Sequence, residues 1–153
     1  MNSNDVLKGA LCGLAGGVAA TIAKTVWEEY FPVRDKQTKT PPAILAERVT
    51  ETDLTEREEG AAEQGIHATF GVGTGVLYGT LAEALPAVTV AGGLPFGAAF
   101  YGATHGSLVP ALGLEPWPTE NKPEYVRNEL AGHFVYAAVL ELVRRGMRRY
   151  VVQ

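Results

Sequence analysis

The chain has 153 residues, a formal net charge of −4 and one cysteine, Cys12. That length holds one domain, the acidic balance leaves no basic footprint for nucleic acid, and a lone thiol makes no internal disulfide. The composition, 46% hydrophobic and 20% charged, is that of an ordinary globular protein, yet the charge is segregated: residues 84–114 carry no Asp, Glu, Lys or Arg, while residues 34–59 carry twelve.

The opening MNSNDVLK lacks the strongly positive run of a signal peptide. The first element expected is a membrane-spanning helix from about Val6 to Phe31. Gly9, Gly13 and Gly17 recur every four residues and so line one side of it. Continued at about 100° per residue, the same face carries Ala20, Thr21, Lys24 and Glu28. The side that admits a close neighbour is therefore also the charged side. Trp27, Tyr30 and Phe31 suit a lipid–water boundary, and Pro32 ends the helix.

Residues 32–62 read as a polar loop containing one short helix: Thr40, two prolines and then AILAERV form a capped start, with Ile44, Leu45 and Val49 on a surface. A second span, about 64–85, repeats the four-residue device at Gly71, Gly75 and Gly79, with His67, Thr74 and Tyr78 beside it. A third, about 87–108, carries Gly93, Gly97, Gly102 and Gly106, a kink at Pro95, and Tyr101 and His105 on one face. The link at Pro86 is so short that spans two and three are expected to be antiparallel neighbours. After the turn-like LGLEPWPTENKPEY, with Trp117 as an interfacial anchor, a fourth span runs from about 125 to 143. It places Glu129, His133 and Tyr136 on one stripe and Glu141 within reach of Arg144 and Arg145. Glu83 reads as an interfacial group. A bilayer needs about 20 residues of helix, and small residues let helices approach in lipid, whereas Gly costs about 1 kcal/mol relative to Ala in an aqueous helix. The fold class expected is all-α, a four-span transmembrane bundle packed by glycine zippers and forming a single membrane domain over 1–153.

Three stretches, GLAGGVAATIAKTVWEEYFPVR, PPAILAERV and NELAGHFVYAAVLELVRRGMRR, resemble the YagU-like inner-membrane proteins, the DUF1440 family. Lys24, Trp27, Glu28, Pro32 and Arg34 match the family's first block, with Val33 departing from its second proline. Glu129, Gly132, His133, Glu141, Arg144 and Arg145 match its last. The resemblance implies a multi-pass protein of the bacterial inner membrane and carries no catalytic chemistry to this chain.

Alternating span direction puts Lys24, Glu28, His67, His105, Glu129 and His133 at one end of the bundle, and intramembrane ionisable groups are functional candidates. Such a set suits structural ion pairs, a proton or solute site, or a transition-metal site drawn from His67, His105, His133 and Glu129. Glu129 and His133 are four apart, not the three of di-iron bundles. No phosphate loop, Cys-x-x-Cys or Ser-His-Asp order is present, so no enzyme activity and no cofactor is expected. Two function classes follow: a structural or accessory membrane component, packing on itself or a larger complex through glycine faces, or a proton- or small-solute-handling protein using the polar end. The half around Gly13, Gly75, Gly93 and Leu140 is nearly free of polar groups, which disfavours a continuous channel. Both termini are expected in the cytoplasm, on an even span count and the C-terminal arginines.

Overall fold

A computed structural model describes residues 3–150, all helix and connecting turns, with no strand among them. Helix α1 spans Ser3–Tyr30. Helix α2, Pro41–Thr50, begins as its sequence dictates: Thr40 Oγ1 accepts from the Ala43 amide, prolines fill the first turn where no amide is needed, and left-handed Glu51 ends it. Helix α3 covers Glu56–Ala84, starting well before the expected residue 64. A capping box explains the early start, because the Thr55 amide donates to Glu58 at 2.9 Å, and Glu56, Glu58 and Glu59 lie against the positive end of the helix dipole.

The third expected span is not one helix. Residues 86–93 form 3₁₀ turns that break at Val90, Ala91 and Gly92, and helix α4, Leu94–Ala103, starts only afterwards. Pro95 therefore sits in a first turn and kinks nothing. Gly93 is left-handed, and a Cβ there would lie 3.0 Å from the Tyr78 hydroxyl and 3.1 Å from the Ala137 carbonyl. A widened π turn, Thr104–Leu108, joins α4 to the single turn α5, Val109–Ala111. Helix α6 runs Pro123–Tyr150, seven residues past the expected end.

Helix α1 packs against both α3 and α6, while α4 packs on α6 and α2 on α3. Helices α3 and α4 are thus not the close neighbours that their short link suggested. The chain bends by 117° between Glu56–Ala84 and Pro86–Ala111, and α3 and α4 meet through rings, Phe70 with Phe100 and Tyr78 with Phe96. The α1–α3 seam is made of glycines: a Cβ on Gly13 would lie 2.9 Å from the Gly79 Cα, one on Gly75 2.5 Å from the Gly17 Cα, and one on Gly9 2.5 Å from the Gly79 carbonyl. Gly71 faces the Thr21 side chain. Gly16, off that line, lets α1 approach Leu140 of α6.

By length and hydropathy, one described helix, Ser3–Tyr30, is apolar enough to cross a bilayer. Glu56–Ala84 and Pro86–Ala111 pass together only as a bent pair. Four spans are thus not evident from hydropathy.

Candidate functional site

Helical phase aims Lys24 of α1 and Glu129 and His133 of α6 into the same interior, and all three are buried. Lys24 Nζ is 2.8 Å from Glu129 Oε1 and also pairs with Glu28 one turn on. Lys24 stands at the centre of the cluster. It ties α1 to α6, helped by the Trp27 indole donating to the Asn128 carbonyl at 3.0 Å.

The π turn delivers the third arm. Widening after Ala103 turns His105 toward α6, where its Nε2 lies 3.4 Å from Glu129 Oε1. His133 Nδ1 lies 3.4 Å from the same oxygen and 2.9 Å from the Glu129 carbonyl. The rings of Phe100, Tyr101 and His105 all meet His133 edge-on. On its other side His105 Nδ1 bonds Glu115 Oε1 at 2.8 Å. π turns recur at functional sites, and this one positions a histidine.

A cavity of about 220 Å³ opens beside these groups, walled by Phe70, Phe100 and Leu108 and by Leu45 from α2, with Lys24, His105 and His133 on its floor. His67 lines the same wall without joining the bonded set. Thr74, read from the sequence as its companion, faces an open apolar groove on the outside of α3, and Tyr78 lies in the core. The six residues expected at one end are therefore together, five linked directly and His67 through the cavity.

Glu115 and Arg34 were missed as members. Glu115 is the first charge after the uncharged run 84–114, ten residues beyond His105, a signal obscured by its turn-like surroundings. Arg34 lines the cavity from the segment after α1.

A second charged cluster occupies the opposite end. Glu141, 1% exposed, accepts from Arg144 Nε at 2.7 Å, from Arg145 and from the Tyr78 hydroxyl at 2.9 Å. Glu83, expected as an isolated interfacial group, is instead bonded by Arg148 at 2.9 Å, and Arg148 also reaches Asp5 at 3.2 Å. The expected Glu141 ion pair is present and belongs to this larger set.

The sequence profile of a family described as proteins of unknown function (DUF1440) matches residues 18–142, most of the chain. The chain belongs to this family. The matched DUF1440 segment takes in Lys24, Glu28, His67, His105, Glu115, Glu129 and His133, and stops one residue past Glu141. No curated protein and no solved structure matches.

Proposed function

We propose that this DUF1440 chain is a multi-pass integral membrane protein that holds a small polar solute at its histidine-rich end and carries no catalytic activity. The observation behind the membrane reading is an inverted polarity. On α1, Leu7, Leu11, Leu14, Val18, Ile22 and Val26 form one outward stripe, with Leu7 at 59% and Ile22 at 60% exposure, while Lys24, Glu129, His133, Glu141 and Arg144 are buried. Leu77, Leu94 and Leu142 extend the outward apolar surface over the other helices. A row of large apolar side chains along one exposed helix face marks a membrane or interaction surface, and inward, paired charge is how ionisable groups are carried within a bilayer. Four crossings, by α1, α3, α4 with its continuation, and α6, would then turn Lys24, Glu129, His133, Glu141 and Arg144 inward.

The cavity at one end favours solute binding over a purely structural role. Glu129 and Glu141 are separated by twelve residues of helix, about 18 Å, filled by Tyr136, Ala137 and Leu140. That plug makes the site a pocket with a floor and opposes a through-going channel. One observation favours the accessory, structural reading instead: every buried side-chain nitrogen and oxygen among the described residues has a hydrogen-bond partner.

Two measurements test the membrane placement and the open pocket in turn. The protein should stay with membranes through an alkaline carbonate wash and leave only in detergent; recovery in the aqueous wash overturns the membrane reading. In a Cys12→Ser background, a cysteine placed at His105 should react with a small membrane-impermeant thiol reagent while one at Ala137 stays unreactive. Reaction from outside whole cells supports cytoplasmic termini and reaction only in inverted vesicles reverses the orientation. Silence of the His105 position from both sides overturns the open pocket.

A further inference from the structure

We infer that the open end binds a divalent transition-metal ion through His105 Nε2, the Glu129 carboxylate and the His133 imidazole, an inference that rests on reading this end as a solute site. The ligating atoms of these three residues lie within 4.8 Å of one another. Two separations are already 3.4 Å, from Glu129 Oε1 to His105 Nε2 and to His133 Nδ1. Ligands held tetrahedrally at about 2.0–2.1 Å stand about 3.3–3.4 Å apart along each edge. The third separation, between the two imidazoles, is within 4.8 Å.

The surroundings prepare these atoms for a metal. Glu115 accepts the His105 Nδ1 proton at 2.8 Å, which leaves Nε2 with its lone pair toward Glu129. A carboxylate behind a ligating imidazole is the usual outer partner of such sites, fixing the tautomer and raising ligand basicity. His133 Nδ1 now donates to the Glu129 carbonyl, so ligation through Nδ1 moves its proton to Nε2 and gives up that bond, while the carbonyl keeps its helical amide partner. The fourth position faces the cavity that His67 also lines, open to water or to an incoming ligand.

Charge points the same way. Lys24 stands alone against Glu28, Glu115 and Glu129, a formal excess of two negative charges with the imidazoles neutral. Arg34 and Glu63, on the cavity wall, offset each other. A dication restores neutrality, and two imidazoles with one carboxylate favour zinc or cobalt over calcium or magnesium. Lys24 is the built-in competitor, since its ammonium sits on the same Glu129 oxygen, and Glu28 gives it a second place to rest when the ion arrives.

The test uses the full chain purified in detergent, with Zn2+ and Co2+ as probes. Titration calorimetry should show one Zn2+ per chain, and Co2+ should give the intense visible bands of a tetrahedral nitrogen and oxygen site. His105→Gln and Glu129→Gln should each weaken binding at least about 100-fold, since loss of even an outer partner of a metal site costs up to about that much. Lys24→Gln should tighten it by about tenfold, as expected when one nearby, partly screened positive charge is removed. His105 is the partly exposed ligand, so its variant retains the fold, verified by unchanged helicity. The absence of one-to-one binding in both the native chain and Lys24→Gln overturns the metal site, as does binding that survives His105→Gln and Glu129→Gln together. Neither result touches thiol reactivity at position 105, which tests the pocket itself.

Discussion

The two ends of the molecule use similar side chains to opposite effect. At the closed end, Asp5, Glu83 and Glu141 meet Arg144, Arg145 and Arg148, three against three. Each guanidinium offers a planar fork of donors that suits carboxylates, and Tyr78 and Leu140, both fully buried, fill the space behind them. At the open end three carboxylates face a single lysine, the remaining partners are imidazoles, and a cavity adjoins them. Matched charge on a filled core is what a staple needs. Unmatched charge, adaptable histidines and space are what a binding site needs, and the difference separates two clusters that composition alone would treat alike.

The largest expected effect comes from the seam that holds both ends in place. Gly75→Leu puts a side chain where even a Cβ lies 2.5 Å from the Gly17 Cα, so it should cost more than about 3 kcal/mol, beyond ordinary overpacking, and disrupt both ends together. Gly73→Leu, with nothing within 4 Å of its added Cβ, should stay within about 0.5 kcal/mol of the native chain. Unfolding followed by helicity in mixed micelles measures both. Equal losses at the two positions would mean that the seam does not set the spacing of the clusters.

Next in size is a direct comparison of the ends. Glu141→Gln takes from buried Arg144 its two-point carboxylate and leaves it only Glu83 at 3.7 Å, and removing one partner of a buried pair costs about 3–5 kcal/mol. Glu129→Gln removes a negative charge from an end that already has an excess, and Lys24 keeps Glu28, so its cost should be closer to that of one charged hydrogen bond, about 1.5–3 kcal/mol. The same unfolding assay reads both. A costlier Glu129→Gln would make the open end the main staple and reverse the assignment of roles.

The sequence disclosed these ends unequally, and the reasons are physical. Four-residue glycine spacing fixes a helix face by geometry alone, so the face that Gly9, Gly13 and Gly17 share was legible, as was the direction in which Lys24, Glu129 and His133 point, but which helix that face meets was not. Helix limits were less so. The start of α3 depends on a capping box at Thr55 inside a charge-rich stretch that reads as solvated loop. The start of α4 depends on left-handed Ala91, Gly92 and Gly93, a conformation that no periodicity reports. Glu115 could not be placed beside His105 without the π turn, since an ordinary helix through Thr104–Leu108 gives that ring a different heading. Asp5, Glu83 and Arg148 come from three different helices, and only the packing of α1 between α3 and α6 brings them together.

The smallest effect concerns a clasp that belongs to the open end and has no part in its buried charge. Asp35, just after α1, accepts from the Tyr125 hydroxyl at 2.6 Å and from Lys122 Nζ at 3.0 Å, holding the connecting segment against the start of α6. The Tyr125 and Lys122 hydrogen bonds both favour the carboxylate and keep the Asp35 acid constant below its ordinary value. A carboxyl whose constant is depressed by folding contributes stability that is fully present above the unfolded value of about 3.9 and is lost as pH falls through the lower folded value. The difference in stability between the native chain and Asp35→Asn should therefore be level near neutrality and vanish at acid pH. It should be small, because the group is exposed and salt screens it. Carboxyl resonance titration of Asp35 reads the constant directly, and an inflection at the ordinary aspartate value would show that the clasp is not held in solution. The open end would then be bounded on that side by a free segment, and access to His105 and Glu115 would be unaffected by Asp35→Asn; a held clasp instead predicts faster thiol modification at position 105 in that variant.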